Sequence, residues 1–186
     1  ADHHRHPFGD DAGHGIVDEE RHDIVVLRHA CHEPGRFGVR AVEYLHQHWE
    51  LPDNVRLVEG GTQGIYLLEH VQTASILVIL DAIDYGLEPG TLKLIEDDAV
   101  PNYLGAKKVS LHQTGFQEVL ATAAMLDSLP ERLLLVGVQP REIEDYGGSL
   151  HPIVKAQIEP AIEAAFAWLE PFGVAATRRA APGRDG

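Results

Sequence analysis

Ser75-Ile76-Leu77-Val78-Ile79-Leu80-Asp81 is the stretch that decides how this chain folds. An apolar run of that length closed by one carboxylate is the pattern of a strand covered on both faces, with its polar residue at the C-terminal edge. Strands of that kind belong to parallel sheets, whose neighbours are joined by crossovers, usually helices. The flanks supply them. Ile24-Val25-Val26-Leu27 reads as a first strand, followed by a helix from about Phe37 with Val39, Val42 and Leu45 at helical spacing, ending before Pro52. Val55-Arg56-Leu57-Val58 is a short second strand, and a helix carrying Ile65, Leu68 and Val71 follows a glycine-rich turn at 60–64. Thr91–Ile95 and Leu133–Val138 read as further strands. Between them a helix from about Gln113 to Ser128 buries Phe116, Val119, Leu120 and Ala123. The last helix is expected from Ser149 as N-cap, with Pro152 in its first turn and Pro160 as a site of kinking. The alternation predicts an α/β fold: a three-layer α/β/α sandwich with a mostly parallel twisted sheet of about five strands. Ligands bind such sheets at the C-terminal edge, which makes Asp81 the first candidate functional residue.

The chain has 186 residues, enough for one domain with a substantial core. Residues 1–22 are rich in His, Asp and Gly without hydrophobic periodicity, and read as a disordered His-rich extension. Residues 23–173 form the single α/β/α domain, and the polar or small residues 174–186 read as a flexible tail. Fifteen Lys and Arg stand against 29 Asp and Glu, a formal charge of −14. That balance argues against nucleic-acid binding, which needs clustered cations. The single cysteine, Cys31, excludes an internal disulfide and a Cys-cluster metal site, and fits the reducing cytoplasm. No run approaches the roughly 18 apolar residues that span a bilayer, so no membrane association is expected.

A second candidate is His112, in Lys108-Val109-Ser110-Leu111-His112-Gln113-Thr114-Gly115, just before a helical pattern. A carboxylate and an imidazole converging at one sheet edge could bind a divalent metal or run acid–base chemistry. Taken singly, each has an ordinary structural role, Asp81 at a strand end and His112 as a helix cap. Gly60-Gly61-Thr62 after a strand gives a tight turn with backbone N–H groups and one hydroxyl, either a plain turn or a platform for a substrate's peptide strand. Self-sufficient catalytic motifs are missing: there is no Asp-Thr-Gly repeat, no His-Glu-x-x-His and no Gly-x-Ser-x-Gly.

Gly60-Gly61-Thr62-Gln63-Gly64, Leu80-Asp81-Ala82-Ile83, Ser110-Leu111-His112-Gln113-Thr114-Gly115 and Leu135-Val136-Gly137-Val138-Gln139-Pro140 occur in fixed order. Together they resemble the endopeptidases that mature nickel–iron hydrogenases, over about Gly38 to Thr177. The resemblance implies an α/β/α enzyme, grouped with aspartic or metal-dependent peptidases, that trims the C-terminal extension from a hydrogenase large subunit once nickel is installed. Its partner would be that precursor, its nickel would be carried by the substrate, and it would act as a cytoplasmic monomer. The family's metal site uses an acidic residue in a glycine-rich first loop, an Asp after a central strand and a His before a helix. Asp81 and His112 match the last two, Asp81 also being the candidate for activating water, and Gly60, Gly61 and Thr62 would hold the substrate strand.

The first loop departs from that pattern. Between the strand and Gly38-Val39-Arg40 stands Arg28-His29-Ala30-Cys31-His32-Glu33-Pro34-Gly35-Arg36-Phe37, about two residues short and lacking the family's Gly-x-Gly-Asn. Counting back from Gly38 puts Gly35 at the acidic position, and Glu33 is the nearest carboxylate, hence the third candidate ligand. A local frameshift between two good flanks would leave the same trace. The alternative function is a catalytically disabled homologue that binds only metal or the hydrogenase precursor.

Overall fold

A computed structural model describes residues 23–29, 37–60, 66–101, 114–141 and 150–180. Its strands are β1 (Ile24–His29), β2 (Trp49–Glu50), β3 (Val55–Gly60), β4 (Ile76–Ala82), β5 (Leu92–Glu96), β6 (Arg132–Val138) and β7 (Thr177–Arg178). Five of them make one sheet in the order β3-β1-β4-β6-β5, parallel except for β5 at the edge. The helices are α1 (Phe37–His48), α2 (Leu67–Thr73), α3 (Thr114–Met125), α4 (Pro152–Lys155) and α5 (Ile158–Leu169).

The apolar run at 76–80 is the middle of this sheet, and every side chain in it is buried. Because strand side chains alternate, Ile76, Val78 and Leu80 pack with Phe37, Ala41 and Leu45 of α1 and Ile158, Ala161 and Ile162 of α5. Leu77 and Ile79 pack on the other face with Leu67 and Val71 of α2 and Phe116, Val119 and Leu120 of α3. Two apolar faces need two helical layers, so the three-layer α/β/α sandwich follows from one segment. Burial of these five side chains contributes on the order of 10 kcal/mol before conformational entropy is set against it.

The strand order reverses once. The chain goes from β1 to β3 on one side, then crosses back to place β4 on the other side of β1. A crevice therefore opens beyond the C-terminal ends of β1 and β4, where neighbouring connections leave in opposite directions. After β4, residues 83–91 pass over the end of β6 and enter β5, which runs back antiparallel along β6. A short connection of this kind permits only an antiparallel return, the reason for the one reversed strand.

Two sequence expectations are revised. The apolar stripe expected as one helix from Ser149 is two helices, α4 and α5, separated at Ala156 and Gln157. His151 is the N-cap of α4, its ring accepting from the Ile153 N–H, while Ser149 lies outside the described residues. The break puts Pro160 in the first turn of α5, where its missing N–H costs no helical bond, so no kink is needed. Residues 174–180, expected as a flexible tail, are held in place. Val174 is buried in the α1/α5 core and β7 pairs antiparallel with β2. The Arg179 backbone N–H donates to His48 O at 2.8 Å, and its guanidinium donates to Trp49 O at 2.9 Å. Arg178 forms an ion pair with Glu159 and donates to the Tyr44 hydroxyl at 3.3 Å; the Glu159 carboxylate raises its pKa above the ordinary guanidinium value. The expected extension at 1–22 and residues 181–186 lie outside the described residues.

Candidate functional site

Strand register sets one row of residues at the C-terminal edge. His29 of β1 pairs with Gly60 of β3, and Arg28 pairs with Leu80, which brings Asp81 level with His29 on the other side. Asp81 in turn pairs with Gly137 of β6, and Gly137 with Lys93 of β5. Gly60 and Asp81 thus flank the end of β1, about 10 Å apart at two strand spacings.

Asp81 is half-buried, and its Oδ1 accepts the Ala82 backbone N–H at 2.8 Å. Ala82 packs with the α1/α5 core, so Asp81 one residue earlier lies on the α2/α3 face. The chain from Met125 at the end of α3 returns to Arg132 at the start of β6, at the opposite sheet edge. A 12-residue helix is about 18 Å long, which carries the first turn of α3, at Thr114, up to the Asp81 edge. The described residues therefore bring Asp81, Gly60 and the start of α3 to one edge. Glu33, Gly61, Thr62 and His112 lie outside the described residues. Among the described residues no group of three His, Cys, Asp or Glu side chains could hold a metal ion. What they supply is one carboxylate, a hard oxygen donor suited to a divalent cation or to accepting a proton from water.

The rim of this edge is the connection 83–91, and Gln139 ties it down. Gln139 is buried, and its Oε1 accepts from Tyr85 N at 2.7 Å and Leu87 N at 3.1 Å. Its Nε2 donates to Asp84 Oδ1 at 3.0 Å and Pro140 O at 3.1 Å. Its backbone donates to Thr91 O and accepts from Gly90 N, each at 2.8 Å. Asp84 closes the inner turn by accepting from Gly86 N at 2.9 Å, with Gly86 at φ +68°. The held loop lays Tyr85 over Gly137: a Cβ added to Gly137 would stand 1.8 Å from the Tyr85 hydroxyl oxygen. Lys93 completes the row, its Nζ 5.1 Å from the Tyr85 ring centroid.

Asp84 and Tyr85, which follow Asp81 closely, read from sequence either as part of the cleft rim or, in preference, as solvent-facing loop residues; the structure puts both in this clamp. A lone glycine inside a strand pattern marks close approach of another group, and Gly137 carried that signal. Gln139 appears in the sequence only as part of the motif at 135–140, and nothing there marks it as a clamp, because its partners are mostly backbone atoms of a loop about 50 residues earlier.

Residues 39–168 match the hydrogenase maturation protease family HycI. The chain belongs to that family. Among relatives of these maturation proteases, the hydrogenase expression/formation protein HupD of Thiocapsa roseopersicina is 63% identical over 143 residues, 77% of this chain and 65% of that protein. The chain thus spans slightly less than two thirds of that relative's length. The hydrogenase 2 maturation protease of Escherichia coli is 42% identical over 77% of this chain and 87% of its own. The solved structure of the E. coli hydrogenase maturating endopeptidase HybD has the same fold, with a TM-score of 0.75 and 38% identity, over 84% of this chain and 97% of that one. No helix among the described residues of this family member is long and apolar enough to cross a membrane.

Proposed function

We propose that this maturation protease is an endopeptidase that removes the C-terminal extension from the nickel-loaded large-subunit precursor of a nickel–iron hydrogenase. The observation that carries the reading is Asp81, a half-buried carboxylate at the crevice between β1 and β4 in a chain of this family. The connections with the other candidates leave from or lead to the same edge. Residues 30–36, with Glu33, follow β1; Gly61 and Thr62 follow β3; His112 stands two residues before α3. Nickel belongs to the substrate in this reading. Asp81 and His112, with Glu33 as third donor, grip the ion in the precursor and so select loaded precursor, an imidazole and carboxylates being suited to nickel. Asp81 also activates the water that adds across the scissile amide, while Gly60, Gly61 and Thr62 hold the substrate strand. The single cysteine and the acidic charge fit a cytoplasmic monomer acting without nucleic acid or membrane.

One observation favours a second reading, a disabled homologue that only binds metal or precursor: Gly35 stands where the family's first acidic ligand falls. Cleavage of precursor with and without nickel separates the two. The proposed enzyme cuts only loaded precursor, and Asp81→Ala and His112→Ala each abolish cutting. Cleavage that appears only after residues 28–37 are replaced by a Gly-x-Gly-Asn loop with an acidic residue would establish the second reading. Equal cleavage of nickel-free precursor would remove nickel from the recognition.

A further inference from the structure

The clamp holds an apolar side chain out in water. Leu87 is 44% exposed, yet its backbone N–H is fixed by Gln139. The residues after it close a tight turn, with the Thr91 N–H and hydroxyl donating to Glu88 O at 3.1 and 2.6 Å. Gly90 takes the left-handed third place of that turn at φ +85°, and its N–H donates to Gln139 O. Ile153 of α4 packs on the bare backbone of Gly90: a Cβ added there would stand 3.0 Å from Ile153 Cγ1 and 3.2 Å from Ile153 O. Ile153 is itself 44% exposed. One tied-down turn thus brings together two part-exposed apolar side chains from different elements. The patch adjoins the crevice. Gln139 lies two residues past Gly137, the register partner of Asp81, and so about 8 Å from Asp81. Leu87 N stands 3.1 Å from Gln139 Oε1, which brings Leu87 within about 15 Å of Asp81, the span of roughly four or five residues of extended chain.

We propose that Leu87 and Ile153 form an apolar subsite for the C-terminal extension of the precursor, taking a hydrophobic side chain within about five residues of the scissile amide. The inference deepens the proposed function and rests on it. β1 and β6 flank β4 on opposite sides. In the proposed function Glu33, which follows β1, helps to grip nickel, so the nickel-bearing part of the precursor lies towards β1. The extension then leaves Asp81 in the other direction, over β6 and towards the rim. A turn fixed before binding presents the subsite at little ordering cost, so burial of the two side chains is realised as affinity. A leucine on a loose loop would lose that gain to ordering.

The test is steady-state cleavage of nickel-loaded precursor by the full chain and by its Leu87→Ser, Ile153→Ser and Leu87→Met variants, with thermal melting and gel filtration of each. Each serine variant is expected to raise KM about five- to tenfold, as losing roughly half of one buried side chain implies. The effect falls on KM and not on kcat, the signature of lost substrate binding away from the reacting bond. Leu87→Met keeps an apolar side chain and is expected to keep the parent's KM. Serine in place of the apolar residues among about the first five of the extension should raise the parent's KM similarly, and that of Leu87→Ser no further. Serine variants with the parent's KM, the parent being active, overturn the subsite and leave the proposed function standing. A loss confined to kcat, or an extension substitution whose effect adds to that of Leu87→Ser, does the same. A rise in KM that Leu87→Met shares, with a lowered melting temperature, makes the residues structural and also overturns the subsite. A dimeric parent made monomeric by Leu87→Ser at equal KM makes the patch a contact between copies, with the same consequence. A folded parent that cuts no precursor overturns the proposed function and this inference with it.

Discussion

Replacing Gln139 with Leu removes the side chain that ties residues 83–91 to the sheet while keeping its bulk. Four side-chain hydrogen bonds are lost: those from Tyr85 N, from Leu87 N, to Asp84 Oδ1 and to Pro140 O. Gln139 is only 5% exposed, so the loss falls inside the protein, but Leu87 at the loop's crest is 44% exposed and water can reach the freed amides. The net value of about 1 kcal/mol per hydrogen bond therefore applies, rather than the larger penalty for a sealed, unsatisfied group. Four bonds come to about 4 kcal/mol, and the added apolar contact of Leu returns about 1 kcal/mol. The expected destabilisation is about 3 kcal/mol, a fall in melting temperature of roughly 6–12 °C for a chain of this size. Circular dichroism reads the melt. Amide hydrogen exchange reads the cause, since Tyr85 and Leu87 N–H should exchange much faster while the amides of β4 keep their protection. Gln139→Glu keeps Oε1 as acceptor but turns a carboxylate oxygen toward Asp84, and is expected to lose at least as much. A Gln139→Leu protein that melts within about 1 °C of the parent, with unchanged exchange at those two amides, would refute the clamp.

Gly137→Ala is expected to cost about 1–3 kcal/mol by overpacking against Tyr85, and Gly137→Ala in a Tyr85→Ala background much less. Tyr85→Phe should relieve the clash only in part, because the ring carbons would still lie 2.7 and 2.9 Å from the new Cβ; additive losses in the double variants would contradict the contact. Ending the chain after Gly173 removes Val174 from the core and uncovers Trp49, and is expected to cost at least about 2 kcal/mol in urea unfolding. A truncated protein with the parent's urea midpoint would show that residues 174–180 contribute nothing to stability.

The frame of the molecule is legible in its sequence because burial writes a period into it. Ile76–Leu80 is covered on both faces and Phe116, Val119, Leu120 and Ala123 on one, so strand and helix each leave a recognisable spacing. Asp81 stands out for the same reason, as the one carboxylate closing an apolar run. Elements set by tertiary contact are not legible this way. The two residues of β7 have no apolar pattern and exist only because Trp49 and Glu50 stand opposite. The break between α4 and α5 is invisible to a 3.6-residue period, which runs through it, although Pro160 marks where a continuous helix would lose a bond. The clamp at Gln139 is a matter of backbone partners far away in the chain, and only Gly137 betrays it. The third ligand is unreadable for another reason, the departure of residues 28–37 from the family pattern.

That departure lies between two elements that are each held by their own contacts. β1 is fixed by β3 on one side and β4 on the other, and Phe37, opening α1, is fully buried. Both ends of the connection 30–36 are therefore held by contacts that do not involve it. Lengthening it by the two residues it lacks relative to the family would change its closure cost by only about 0.2 kcal/mol. The clamp beside Asp81 is built into the sheet itself. There Gln139 is buried and the Tyr85 hydroxyl leaves no room for a Cβ at Gly137, so substitution at either position disturbs the fold. Asp81 thus stands beside a rim that is bound into the sheet. A chain carrying an altered first loop can keep the fold, the carboxylate and the clamp, which makes restoring that loop a clean test of whether function was lost without the frame.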